Sequence, residues 1–556
     1  MIFEESLKPF ILKSIQNSGL KTVEPEWSAP KQPEHGDVAT NVAFLLAKEA
    51  GKPPRVVAQM LLENMEGLPD WIIKAEVAGA GYINFHIQPH AYFEALKIIL
   101  KEGEKFGESF VGGGKNVLLE FVSANPTGPL NIVSARAAAV GDALASLLKT
   151  VGYKPKREFY VNDVGNQIEL FARSIEARLL EARGEEGVIP PEGYQGEYLK
   201  TFAETLADTK KKYSLEQLKT LGLKYMIAWQ KKSLENFGVT FDKWFSQKEL
   251  IEKGMIEKAL KKLEKGGHLY EKEGALFFSS IPFGDDKDRV VKKQDGEYSY
   301  FASDIAYHGD KFARGFDWAI DLLGPDHHGY VARTKAAVAA FGFNPDQLTV
   351  LIIQQVNLME GEVLVKMSKR AGKMITMDDL LGEVGRDVAR YFFLQRSASS
   401  PLDFDLELAK KETSENPVFY IQYAFARISS IFAKALEQKI KPDFKNVDLT
   451  LLDLPEEKML ARQLLSFPDM LARAAKELSV HLVAFYCLEL ARQFQSYYSQ
   501  AKHDTRYRVV DMENPARTMA KLYLLKNIGI VLQNALRILG ISAPERMESK
   551  DVAGAL

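Results

Sequence analysis

The sequence predicts a multidomain α/β protein with an open, largely parallel sheet in the middle of the chain, a small α+β unit before it and an all-α unit after it. Three observations predict this. The chain has 556 residues, and one hydrophobic core stops growing at roughly 250 to 300 residues. From Asn116 onward, short apolar runs alternate with helical stretches, as in βαβ units. After about Pro401 the pattern changes to helical periodicity with few glycines, as in a helical bundle.

Residues 1–110 read as the α+β unit. MIFEESLKPFILKSI is an amphipathic helix, acidic early and without the cationic start or cleavage site of a signal peptide. Helical periodicity covers Val38 to Glu49 and Pro54 to Met65, and KAEVAGAGYINFHI alternates as a strand does. The glycines at Gly112 to Gly114 mark a linker. Residues 111–400 form the sheet unit. VLLEFVS suits a buried parallel strand, ANPTGPLN a turn, ARAAAVGDALASLLKTVG a helix ending at glycine, and KREFYVND the next strand. Further strand candidates are ALFFSS, YSYFAS, FDWAIDLL and LTVLIIQQV, and the helix-rich stretch of about 166–265 reads as an insertion. Such a sheet binds ligands at the carboxyl ends of its strands. Residues 401–556 form the helical unit, with no strand expected.

Apolar residues make up 46% and charged residues 26% of the chain. No run of about 18 apolar residues occurs, so no membrane span is expected. The lone cysteine, Cys487, has no partner for an internal disulfide; it reads as a small buried hydrophobe and fits a reducing cytoplasm. The net charge of −2 comes from 72 basic and 74 acidic residues. That balance neither suggests nor excludes a nucleic-acid partner, because basic side chains can gather on one face.

Four segments carry candidate chemistry. The turn ANPTGPLN feeds a helix whose free N–H groups and positive end suit a phosphate, although many such turns only connect. KMSKR, Lys366 to Arg370, places cations near glycine, where they can close on a triphosphate or simply be solvated. LGPDHHGY puts a glycine and a carboxylate at a strand end, which suits a ribose. Its paired histidines lack further ligands at metal spacing and read as structural. In YSYFASDIAYH, Asp304 is a carboxylate that a guanidinium can match with two hydrogen bonds, and Tyr300 lies four residues earlier near the same pocket. An unliganded carboxylate at a helix start would look the same in sequence.

These residues are recognisable together. EFVSANPTGPL at Glu120 to Leu130, KMSKR, FYVNDVGNQI, FGDDKDRV, SDIAYH, DHHGY and NPVFYIQYAFAR resemble, in order, segments of the arginyl-tRNA synthetases, class I aminoacyl-tRNA synthetases. The resemblance runs over about residues 35 to 545. It implies a unit that contacts the tRNA D-loop corner, a Rossmann-type catalytic domain and an anticodon-binding bundle. It also implies L-arginine, ATP with Mg²⁺, and tRNA(Arg) as partners, and activation of arginine only with tRNA bound; a monomer is expected, although the sequence does not fix the oligomeric state. Glu120, Ser123 and Asn125 resemble positions that hold the amino and carboxyl end of arginine. Tyr300 and Asp304 resemble those that read the guanidinium, with Glu273 a weaker second carboxylate. Gly324, Asp326 and His328 resemble the ATP-ribose side. Lys366 and Lys369 resemble cations over the phosphates, with Met367 and Ser368 on the ATP side of the same loop.

One segment departs from the pattern. The class signature after NPTGPL is His-x-Gly-His, and here it is Asn131-Ile132-Val133-Ser134. Asn131 and Ser134 can still donate hydrogen bonds to phosphate, but neither can carry positive charge. Two readings stay open at this point: a working site with hydrogen bonds in place of imidazoles, or a synthetase-like protein that binds tRNA without charging it. The lysine loop generates the first prediction. Lys369→Ala slows adenylate formation far more than it weakens tRNA binding, measured as pyrophosphate exchange with tRNA present; an unchanged exchange rate removes Lys369 from the chemistry.

Overall fold

A computed structural model describes residues 2–28, 30, 32–209, 211–327, 329–361, 363–365 and 375–547. The expectations on Lys366, Met367, Ser368, Lys369 and His328 lie outside the described residues.

The first unit opens with the helix Ile2–Asn17, which buries Leu7, Ile11 and Ile15 at helical spacing. It packs on the helix Pro54–Glu63, which covers a four-stranded antiparallel sheet of β1 (Trp27–Ser28), β2 (Val38–Thr40), β3 (Ile72–Ala78) and β4 (Tyr82–Ile87), in the order β1-β2-β4-β3. KAEVAGAGYINFHI is thus a hairpin of two strands turning at Gly79 and Gly81, both at positive φ. The helix expected from Val38 starts only at Val42 and runs to Ala50. Val38, Ala39 and Thr40 are all buried and pair with β4, so the apolar run that looked helical is an inner strand.

The central sheet is parallel. It contains β5 (Asn116–Glu120), β6 (Lys154–Val161), β7 (Lys243–Ser246), β11 (Trp318–Leu323) and β12 (Leu348–Ile352), in the order β12-β11-β5-β6-β7. The chain builds outward from β5 to β7, then returns to the other side of β5. The gap beyond the carboxyl ends of β5 and β11 is therefore the topological switch point, where such sheets bind ligands. Asn131 caps the first crossover helix, Ile132–Thr150, by accepting a hydrogen bond from the Ser134 N–H at 2.8 Å. Gly141 lets this helix approach the sheet: a Cβ there would sit 2.3 Å from the Phe121 ring.

Four sequence expectations change. β7 lies inside the span 166–265, so that span is not wholly inserted helix; three helices, Asn166–Ala182, Glu197–Ala207 and Leu215–Asn236, precede β7. ALFFSS forms a strand, β9 (Ala275–Phe278), but between β8 (Leu269–Lys272) and β10 (Arg289–Lys292) in a separate antiparallel sheet. YSYFAS is not a strand. Ser299 accepts a hydrogen bond from the Ala302 N–H and starts the helix Tyr300–Ala313, so capping chemistry overrides the aromatic β-propensity. Strands do not end at Pro401: β13 (Val356–Glu360) pairs with β14 (Val363–Leu364) on one side and with β15 (Leu402–Asp405) on the other.

Beyond β15 the chain is helical, led by Pro417–Glu437, His481–Ser499 and Pro515–Leu539. The last is, among the described residues, the one helix long and apolar enough to cross a membrane, and 78% of its most apolar window is buried inside the protein. It packs on the other two helices and on Ile132–Thr150, as a central core helix does. Cys487 is fully buried there. The packing at Gly141 predicts that Gly141→Ala lowers the thermal midpoint, at a cost of about 1 to 3 kcal/mol for overpacking against Phe121; an unaltered midpoint contradicts that packing.

Candidate active site

A cavity of about 1480 Å³ opens at the switch point. A pocket for one small ligand holds roughly 300 to 1,000 Å³, so there is room here for more than one substrate. Its walls bring together Glu120, Ser123, Asn125, Asn131, Ser134, Tyr300, Asp304 and Gly324, eight of the residues expected from the sequence. His327 lines it as well, whereas Asp326 is exposed in the short turn Pro325–His327 and off the wall. Glu273 is also off the wall. It sits exposed at φ 53° in the β8–β9 turn, where its carbonyl accepts from Gln294 Nε2, so it is no second guanidinium carboxylate in this structure. Among the described residues no group of three or more His, Cys, Asp or Glu could hold a metal ion.

The chain turns sharply off β5 through Val122 (φ 68°) and Ser123 (φ 40°), both in the left-handed region that non-glycine residues rarely adopt. The turn places Ser123 Oγ between two partners: it donates to Glu120 Oε1 at 2.9 Å and accepts from the Tyr160 N–H at 3.1 Å. Asn125 donates to Gln167 Oε1 at 2.7 Å, and Gln230 Nε2 donates to the carbonyls of Asn125 and Gly128. The N-terminus of the helix Ile132–Thr150 faces the cavity through Asn131, Val133 and Ser134. Asn131 bridges to Thr376, and the Met377 N–H donates to Leu130, so the chain leaving the lysine segment is fastened beside that helix end.

The helix Tyr300–Ala313 supplies another wall. Tyr300 is 69% exposed at its start. Asp304, one turn further on, is half-buried, and no donor among the described residues reaches its carboxylate. Burial pushes this carboxyl up to about 6, with the Glu120 charge adding to the rise; His308, Arg333 and Lys311 oppose it. A carboxylate held out of water without a partner is ready for a cation that brings its own donors.

Sequence reasoning missed what lies beneath. Asp321, Glu120 and Glu158 are register partners on β11, β5 and β6, so three buried carboxylates form a row across the strand ends. One helix and its cap neutralise the row. Lys311 Nζ donates to Glu120 Oε2 at 2.6 Å and to Asp321 Oδ1 at 2.7 Å. His308 Nε2 lies 2.9 Å from Asp321 Oδ2. Arg314 holds both oxygens of Glu158 at 2.6 and 2.8 Å, and the Tyr307 hydroxyl adds a third bond. Burial alone would raise Asp321; Lys311 and His308 hold it down to about 2. Burial alone would lower Lys311, yet Asp321 and Glu120 keep it above the ordinary lysine range. The missed signal was a charged residue inside each apolar strand run (VLLE, REFYV, WAIDLL) with cations at helical spacing downstream.

An open parallel sheet with its cavity at the switch point and an all-helical unit after it matches the class I aminoacyl-tRNA synthetases. Residues 95–397 fit the family described as tRNA synthetases class I (R), catalytic domain. Residues 3–87 fit the arginyl tRNA synthetase N terminal domain, and residues 421–547 fit the DALR anticodon binding domain. The chain is 45% identical over 529 residues to an arginine–tRNA ligase of Citrifermentans bemidjiense, covering 93% of this chain and 94% of that one. It is 43% identical over 557 residues to one from Geobacillus thermodenitrificans, covering 98% and 99%. The solved Thermus thermophilus arginyl-tRNA synthetase shares the fold, with a TM-score of 0.78 at 23% identity over 98% of this chain and 100% of that one. The chain belongs to the arginyl-tRNA synthetase family.

Asp304 generates a pH prediction. Its folded value lies above the ordinary 3.8, so the ionised form costs stability above about pH 6, and that cost fades as pH falls toward 4. Asp304→Asn therefore adds stability at pH 8, up to about 3 kcal/mol, and so raises the thermal midpoint there, and the gain shrinks at pH 5. An equal midpoint shift at both pH values contradicts the raised carboxyl.

Proposed function

We propose that the chain joins L-arginine to the 3′-terminal adenosine of tRNA(Arg) in two ATP-driven steps. The observation that carries this reading is the half-buried carboxylate of Asp304, which no donor among the described residues reaches, facing a cavity at the switch point of a class I catalytic domain. A guanidinium fits it with two parallel hydrogen bonds, and Tyr300 closes over the same end. Lysine offers a point charge without the planar fork, and citrulline offers no charge. Ser123 and Glu120 line the same cavity and suit the α-amino and carboxyl groups, with Asn125 also on its wall.

In the first step an oxygen of the arginine carboxylate attacks the ATP α-phosphorus, the bond to the bridging oxygen breaks, and pyrophosphate leaves. The chain's part is placement and charge. The open N-terminus of the helix Ile132–Thr150 offers N–H groups to phosphate oxygens. Asn131 spends its carbonyl oxygen on capping Ser134, which leaves its amide N–H₂ as a donor to ATP, with the Ser134 hydroxyl beside it. Gly324 and His327 border the ribose side, and Lys366 and Lys369 serve as cations over the phosphates. Mg²⁺ arrives with ATP as its counter-ion. In the second step the 2′-OH of the terminal adenosine attacks the adenylate carbonyl, and AMP leaves.

The same reading divides the chain at about 110 and 400. It assigns the D-loop corner to residues 1–110 and the anticodon to residues 401–556, in a cytoplasmic monomer. The full-length match to ligases favours charging over tRNA binding alone, despite the altered signature. Charging of arginine-specific tRNA by the purified protein tests the reading, with lysine and citrulline as controls. Arginine alone is expected to be esterified, and Asp304→Asn is expected to raise its KM roughly 10- to 100-fold, the worth of hydrogen bonds to a charged partner. Tight tRNA binding with no charging at any ATP or magnesium level overturns it.

A further inference from the structure

The row of carboxylates under the cavity has a geometric consequence for substrate length. Among the described residues, the polar side-chain bonds from the helix Tyr300–Ala313 to the central sheet come from its C-terminal half: His308 and Lys311 reach β11, Lys311 reaches β5, and Arg314 just past the helix reaches β6. Its N-terminal half carries Tyr300 and Asp304 into the cavity. Asp304, His308 and Lys311 share one helix face, at spacings of four and three. Lys311 stands seven residues beyond Asp304, about 10 Å along the axis. Glu120, which Lys311 grips, is bonded to Ser123 through its other oxygen.

We propose that Lys311 is a positioning residue that sets the distance between the two ends of the arginine site and so selects amino-acid length. This rests on the reading that Asp304 takes the guanidinium and the Glu120–Ser123 pair the α-end. One side chain, wholly buried, ties the element bearing Asp304 to the strand bearing Glu120. Neither end can move relative to the other without breaking a bond in which both charges are out of water, and breaking such a pair is costly. Tyr307 adds to the rigidity, with the Lys311 ammonium 4.3 Å from its ring centroid. A pocket with fixed ends distinguishes side chains differing by one methylene by roughly 10- to 200-fold; a pocket whose ends drift does not.

The fold does not depend on this bond alone. Phe301, Ala302, Ile305 and Ala306 pack into an apolar cluster with Phe278, Val291 and Ala336, which keeps the helix attached from another side. Lys311→Met preserves the length of the side chain and removes the charge. The double variant Lys311→Met with Asp321→Asn also removes one of the facing carboxylates and serves where the single variant folds poorly.

The experiment compares arginine with homoarginine, one methylene longer, in tRNA charging by the full chain. In either variant kcat/KM for arginine is expected to fall at least tenfold through KM, while that for homoarginine changes less than threefold, so discrimination collapses by about tenfold. A folded variant that loses activity equally toward both amino acids overturns the proposal and leaves Lys311 a purely structural pair. If Asp304→Asn leaves the arginine KM unaltered in the same assay, the guanidinium assignment itself fails, whatever Lys311 does.

Discussion

The row of three buried carboxylates on β11, β5 and β6, paired by His308, Lys311 and Arg314, is the constraint on which the rest of the site depends. Like charges at neighbouring register positions in a parallel sheet repel, and each loses its water. The sheet tolerates them because a single helix delivers the cations, and Lys311 and Arg314 at its C-terminal end also suit the negative end of its dipole. Hydrophobic residues in the same places could pack as well or better. What the ionic arrangement supplies is a fixed seat for the helix, and with it a fixed place for Asp304.

From that seat the chemistry divides along the sheet. One side of the cavity is a turn and a helix end: the left-handed step at Val122 and Ser123, then the open N-terminus of Ile132–Thr150. It suits groups that carry negative charge. The other side is the helix Tyr300–Ala313, whose free carboxylate suits positive charge. The substitution of Asn131 and Ser134 for the class signature leaves this polarity intact, because the helix end supplies N–H groups whatever side chains flank it. Asn131 also caps its own helix, so one residue serves the fold and the phosphate end together.

The sequence was informative where a rule is local. The parallel strands VLLE, REFYV and WAIDLL and the long bundle helices follow from periodicity and turn residues, whereas KAEVAGAGYINFHI, read as one strand, is a hairpin of two. It misled where context decides. YSYFAS has strand propensity, but Ser299 caps a helix there; Val38–Thr40 has helical texture, but pairing with β4 makes it a strand. The same holds in the site. Motif residues such as Glu120, Ser123 and Asp304 were legible because they cluster in short segments. The pairing of Lys311 with Glu120 was not, since 191 positions separate them and the packing of the helix Tyr300–Ala313 against the central sheet brings them together. Glu273 had the right chemistry in the wrong hairpin.

The central claim is that arginine lies between Asp304 and the Glu120–Ser123 pair while the carboxylate row stays closed beneath it. A crystal structure of the protein with arginine bound examines this most directly. The account predicts the guanidinium in a two-bond contact with Asp304, the amino and carboxyl groups beside Ser123, and Lys311 still bonded to both Glu120 and Asp321. A guanidinium seated elsewhere, or Lys311 released from the strands when arginine binds, would contradict it.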